Sequence, residues 1–203
     1  MSEVKTEKLS PRVTSLQLGD SGDTLTLPSG ATLSIASGAT IANSGTATGF
    51  GGDNTPAFEA KRTTDLSISD DTMTKVTLNT EVFDTDGAFD PSTNYRFTVP
   101  SGEGGKYFVY AYIAFHSSHG GNDVEQIEVN VKKNGSTAFA AEEKPSASGT
   151  GGYGQTASKT AVGIVDLSAS DYLELYGYFN NTQGSSYTNI KSATLGAYKL
   201  IGV

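Results

Sequence analysis

A run of near-identical octads between Thr24 and Gly52 limits the folds open to this chain more than anything else in it. The run reads Thr-Leu-Thr-Leu-Pro-Ser-Gly-Ala, then Thr-Leu-Ser-Ile-Ala-Ser-Gly-Ala, then Thr-Ile-Ala-Asn-Ser-Gly, without a charge. Leu25, Leu33 and Ile41 recur every eight residues, and Leu27 with Ile35 and Gly30 with Gly38 keep the same step. Each unit alternates two apolar residues and then turns a small Ser-Gly-Ala corner, which predicts a short strand and a tight turn, repeated. A single thread of this kind cannot bury its aliphatic side chains, whereas several threads wound together can. The expectation is an intertwined β shaft in which Leu25, Leu27, Leu33, Ile35 and Ile41 face sister copies.

The rest of the composition narrows the class. At 203 residues the chain has room for one domain and an appendage. Cysteine is absent, so no disulfide framework holds it. The opening Met-Ser-Glu-Val-Lys-Thr-Glu-Lys lacks an apolar core, so no signal peptide is expected, and no run approaches the roughly 18 apolar residues of a membrane span. A net charge of −8 argues against a nucleic-acid binder, which needs clustered cations to neutralise phosphates. Residues 1–20 read as an attachment segment, 21–52 as the shaft with a Gly-rich linker, and 53–203 as a separate head.

The head shows no convincing helical period, and its connections are rich in Gly, Ser and Asn, so it is expected to be all-β. Candidate strands are 57–63, 74–82, 94–99, 106–115, 125–133, 137–143, 158–167, 171–179 and 193–202. Asn134-Gly135 between two of them predicts a tight hairpin, because both residues tolerate positive φ. Within 106–115 one face carries Tyr107, Val109, Ala111, Ile113 and Phe115; the other carries Phe108, Tyr110, Tyr112 and Ala114. A half-buried strand should present a polar second face, and this one is aromatic. Tyr suits surfaces that are dry at one end and hydrogen-bonded at the other. Tyr110, Tyr112, Tyr176, Tyr178 and Tyr198 are therefore assigned to contacts between subunits, against the alternative that they form a second layer of one domain.

These landmarks resemble a known fold. Ala57-Phe58, Asn79, Phe89-Asp90, Tyr95-Arg96-Phe97-Thr98-Val99-Pro100, Gly105-Lys106-Tyr107-Phe108, Lys133-Asn134-Gly135, Asp171-Tyr172-Leu173-Glu174-Leu175 and Ala193-Thr194-Leu195-Gly196-Ala197-Tyr198 follow in the order of a C1q-like jelly roll. That trimeric fold is shared with the tumour-necrosis-factor superfamily. Val109, Ser170 and Leu195 stand where the family usually has Phe, Gly and Phe, and each keeps its position small or apolar. The stretch 18–32 is similar to shaft repeats in fibre and appendage proteins of marine bacteriophages, where such shafts precede C1q-like heads. The two resemblances together imply an all-β homotrimer: a jelly-roll sandwich preceded by the intertwined shaft.

Catalytic and cofactor chemistry finds little purchase. The only histidines, His116 and His119, share a Gly-rich loop with Asp123 and lack a third rigid ligand, so no metal is expected. No Ser occupies a nucleophile elbow, and the Gly-rich runs lack the Lys-Ser/Thr ending of a phosphate loop. No cofactor and no enzymatic activity are expected. If successive strands run antiparallel, the three longest connections lie at one end of the head. They carry His116, His119, Asn122, Tyr153, Gln155, Asn180, Asn181, Gln183, Tyr187 and Asn189, a composition typical of binding loops.

The expectation is then a structural virion protein of a bacteriophage, made in the host cytoplasm. Residues 1–20 would contact other virion proteins, and the trimeric head would bind a glycan or protein of the host surface without entering the membrane. The alternatives are a capsid-decorating or tail-bracing protein with no receptor, and a depolymerase of surface glycans.

Overall fold

The structure is a computed structural model that describes residues 22–24, 26–40, 42, 54–117, 124–144, 156–181 and 188–201. The chain divides into two compact units, Met1–Thr48 and Gly49–Val203.

In the shorter unit the octad corners are turns. The Ala31 N–H donates to the Pro28 carbonyl and the Ala39 N–H to the Ala36 carbonyl, each at 3.0 Å, with Gly30 at φ 82° and Gly38 at φ 81°. Positive φ at the third position of a four-residue turn is what demands Gly there. None of the unit's described residues lies in a strand, because a ladder needs a partner strand. Leu27, Leu33 and Ile35 remain 49, 63 and 44 % exposed. Leu25, Ile41 and the attachment segment lie outside the described residues.

The longer unit is all-β among its described residues. Its strands are β1 (Ala57–Arg62), β2 (Leu66–Ser67), β3 (Thr74–Lys75), β4 (Thr80–Asp84), β5 (Phe89–Asp90), β6 (Arg96–Thr98), β7 (Gly105–Ser117), β8 (Val124–Lys133), β9 (Ser136–Glu143), β10 (Thr156–Leu167), β11 (Tyr172–Asn181) and β12 (Thr188–Lys199). They form two antiparallel sheets of a jelly-roll sandwich. The first has the order β10-β7-β12-β1-β4, with β2 joining β12; the second has β5-β6-β11-β8-β9, with β3 joining β11. First and last strands pair, Ala57 opposite Tyr198. The Asn134-Gly135 hairpin forms as expected, with φ 51° and 79°.

Alternation decides which side chains enter the core. Tyr107, Val109, Ala111, Ile113 and Phe115 point inward from β7, and Leu173, Leu175 and Phe179 from β11. At one end Phe58 of the first sheet stacks on Phe97 of the second, centroids 4.5 Å apart, with Phe89 and Tyr107 beside them. At the other end Phe115 meets Phe179 at 5.4 Å. Truncating such a buried ring to Ala costs about 3–5 kcal/mol.

One expected strand, 74–82, is broken. Thr74–Lys75 pairs with β11 in the second sheet, and Thr80–Asp84 pairs with β1 in the first. Between them the chain crosses from sheet to sheet, with Val76 and Leu78 both fully buried. The crossing is held by Arg62, whose Nη1 donates to the carbonyl and hydroxyl of Thr77 at 3.0 and 2.9 Å. The alternating apolar pattern that resembles a strand here fills the side of the core.

Candidate functional site

The register of the first sheet sorts its outward side chains into rows running across the strands. The row nearest the end where β1 begins is Ile164, Phe108, Tyr198 and Ala57, from β10, β7, β12 and β1. Next comes Val162, Tyr110, Gly196, Glu59 and Phe83, reaching β4. Then follow Thr160, Tyr112, Thr194 and Lys61, and after them Ser158, Ala114 and Ser192. The last row is Thr156, His116, Asn189 and Ser67. The face is thus graded, apolar and aromatic over its first rows and hydroxyl-bearing over the rest.

The apolar rows are open to solvent on their flanking strands β10 and β4, with Phe108, Tyr110 and Tyr198 between them half-buried. Ile164 is 64 % and Val162 58 % exposed, and Phe83 and Tyr112 are exposed as well. Phe108 packs against Tyr198 at 5.4 Å and Tyr110 at 6.4 Å between ring centroids. Tyr110 lies flat across β12 where Gly196 leaves room for it: a Cβ at 196 would stand 2.3 Å from the ring Cζ. It thereby reaches β1, and its hydroxyl donates to Glu59 Oε2 at 2.6 Å. Burial, then the hydrogen bond to Glu59 and its charge, push this phenol well above its ordinary range.

The structure divides the tyrosines assigned to subunit contacts. Tyr110, Tyr112 and Tyr198 share the graded face. Tyr176 and Tyr178 lie on the outward face of the second sheet, on the opposite side of the sandwich, because β7 and β11 belong to different sheets. Both have partners within the chain: Lys132 Nζ stands 4.0 Å above the Tyr176 ring, and the Tyr178 hydroxyl donates to Asp71. That bond, chiefly, pushes the Tyr178 phenol up to about 12.

The three long connections do begin and finish at one end of the sandwich, as strand direction predicts. Ser117 is opposite Thr188, Asn181 opposite Val124, His116 opposite Thr156, and Glu143 opposite Ile127. Of the expected tip residues, His119, Asn122, Tyr153, Gln155, Gln183 and Tyr187 lie outside the described residues. His116 closes the graded face, with Nδ1 buried and without a hydrogen-bond partner among the described residues. Asn180 points outward from the second sheet, and Asn189 Oδ1 accepts from the Ser67 hydroxyl at 3.1 Å. Asn181 is 3 % exposed, and its backbone N–H donates to Asp70 Oδ1, so it stands behind the surface at this end. Among the described residues no group of three His, Cys, Asp or Glu could hold a metal ion.

Sequence reading placed Phe108 beside Tyr110 and Tyr112 but missed Val162, Ile164, Phe83 and Glu59 as parts of the same face. Residues 161–165 are apolar or Gly throughout, so alternation cannot tell inside from outside there. Glu59 gains its place only through pairing with strands far along the chain.

No protein-family model matches this chain, and no curated protein sequence matches it. Solved structures do. The globular domain of zebrafish complement 1qA is 15 % identical, covering 71 % of this chain and 96 % of its own, with a TM-score of 0.47. Eiger TNF from S. frugiperda is 15 % identical over 71 % of this chain and 93 % of its own, TM-score 0.49. Murine APRIL is 16 % identical over 71 % and 98 %, TM-score 0.47. At such identities the likeness is one of fold, and the jelly roll itself is read from the strand order and pairing above.

Proposed function

We propose that this chain is a self-associating appendage protein of a bacteriophage particle, with a jelly-roll head that binds a partner on the host surface. The observation that carries the reading is the apolar half of the graded face, where exposed Ile164 and Val162 adjoin half-buried Phe108, Tyr110 and Tyr198 across three strands. A contiguous patch of this kind marks an interface on a soluble protein. A second copy of the chain is the partner that supplies matching apolar surface. The exposed Leu27, Leu33 and Ile35 of the repeat support the same reading from the other unit. Three is the copy number that the sequence resemblance implies, and the loop-bearing end, with several copies side by side, offers avidity to a weak surface ligand.

Sedimentation equilibrium of the full chain tests the association. A trimer for the wild type and a smaller species for Ile164→Asp are expected; a wild-type monomer at micromolar concentration overturns the reading. Antibody labelling of particles and cell-binding assays with the purified chain test the role. Labelling confined to the capsid shell, with no cell binding, replaces receptor recognition by decoration.

A further inference from the structure

The apolar rows contain one carboxylate. Glu59 stands between Gly196 and Phe83 in the row that begins with Val162 and Tyr110. Its only side-chain donor among the described residues is the Tyr110 hydroxyl, at 2.6 Å. A phenol donates one hydrogen, whereas a carboxylate offers about four acceptor sites, so the remainder depend on water. No cation lies within ion-pair reach of Glu59 among the described residues. Lys61, one row nearer the loops on the same strand, is the nearest by register. From β12 the row contributes Gly196, with Tyr198 one row away; from β4 it contributes Phe83. Glu81 is opposite Ala60, and the carboxylate of Asp84 is engaged by the Phe89 and Asp86 N–H groups at 2.6 and 3.1 Å. Asp166 and Lys106, opposite each other, lie beyond the Phe108 row.

We propose that Glu59 is a pH-dependent brake on association of this face with a second copy. The proposal rests on the self-association reading above. A copy laid over the apolar rows removes the water on which the ionised carboxylate depends and leaves it the Tyr110 hydroxyl alone. Burying a charge with incomplete partners is unfavourable, and the group responds by holding its proton. Association therefore tightens as Glu59 becomes neutral, and the neutral carboxyl still hydrogen-bonds Tyr110. Gly196 is part of the device, since any side chain there would lift the tyrosine away from β1.

The test is sedimentation velocity of the full chain at pH 7.5, 6.0 and 4.5 and constant ionic strength, for wild type, Glu59→Gln and Tyr110→Phe. Acid also reduces the net negative charge, but the carboxylates other than Glu59 contribute to this equally in all three. Each pKa unit that association adds to a carboxylate is about tenfold in binding. Glu59→Gln is expected to associate about tenfold or more tightly than wild type at pH 7.5, with the difference gone at pH 4.5. Tyr110→Phe, lacking the carboxylate's one donor, is expected to be weaker than wild type at pH 7.5. Parallel pH curves for wild type and Glu59→Gln overturn the brake while leaving association intact. A wild type that loosens in acid overturns it too, by showing Glu59 paired with a neighbour's cation such as Lys61. Absence of association in every variant at every pH removes both readings.

Discussion

The ring of Phe139 rests on the backbone of Gly163: a Cβ at 163 would stand 2.7 Å from Phe139 Cδ1. Phe139 belongs to β9 at the edge of the second sheet and Gly163 to β10 at the edge of the first, so the contact closes one side of the sandwich. Gly163→Ala forces the ring aside and is expected to cost about 1–3 kcal/mol, read from urea denaturation. Adding Phe139→Leu should recover part of that loss. An unchanged midpoint for the single variant would refute the close packing.

Gly196 makes the same kind of allowance on the graded face, for Tyr110. Gly196→Ala should leave the head folded but displace the tyrosine from Glu59. The Tyr110 phenol, now held well above its usual range by burial and by Glu59, should fall back towards about 10. Spectrophotometric titration of the tyrosines would then show one more phenol ionising in the ordinary range than in wild type.

Ser170 holds φ 71°, a left-handed conformation that costs most side chains about 1–2 kcal/mol. Its N–H donates to the Val99 carbonyl at 2.9 Å, a bond that any residue can make. Ser170→Gly is expected to stabilise the head by about 0.5–1 kcal/mol, the strain relieved less the added freedom of the unfolded chain. Thermal unfolding should show the midpoint rising.

Asp171 joins the end of β8 to the turn before β11. Lys133, Asn134 and the Ser168 N–H all donate to its carboxylate and lower its pKa from 3.8 to about 2. A depressed folded-state value means that the contribution is present above 3.8 and lost as pH falls towards about 2. Asp171→Asn should be less stable at neutral pH and should show a shallower loss of stability across that interval. Asp90, also held below its usual range by the Thr93, Ser92 and Asn94 N–H groups, will keep part of the acid sensitivity. An acid limb identical to wild type in Asp171→Asn would discount the cluster around residue 171.

Local chemistry is legible in the order of the residues. Positive φ at Gly30, Gly38 and Asn134-Gly135 follows from residues that tolerate it, because a turn is decided within four residues. The inward and outward faces of β7 and β11 follow from strict alternation, because a strand's side chains alternate whatever it pairs with. An all-β head, its hairpin and a common end for the long connections follow from those two signals.

Other features depend on which strands meet. Val76-Thr77-Leu78 alternates like a strand, yet it crosses between sheets, since a core flanked by two sheets also needs filling at its sides. Tyr110 and Tyr176 sit in similar aromatic strands, and only membership of different sheets puts them on opposite faces. Glu59 is an ordinary charge in the sequence until β12 and β7 bring Gly196 and Tyr110 alongside it. Turn positions, strand faces and the unsatisfied aliphatic repeat are written in the residue order, because each is set by neighbours along the chain. The graded face and the carboxylate within it exist only in the folded head, because pairing between strands about 140 residues apart assembles them.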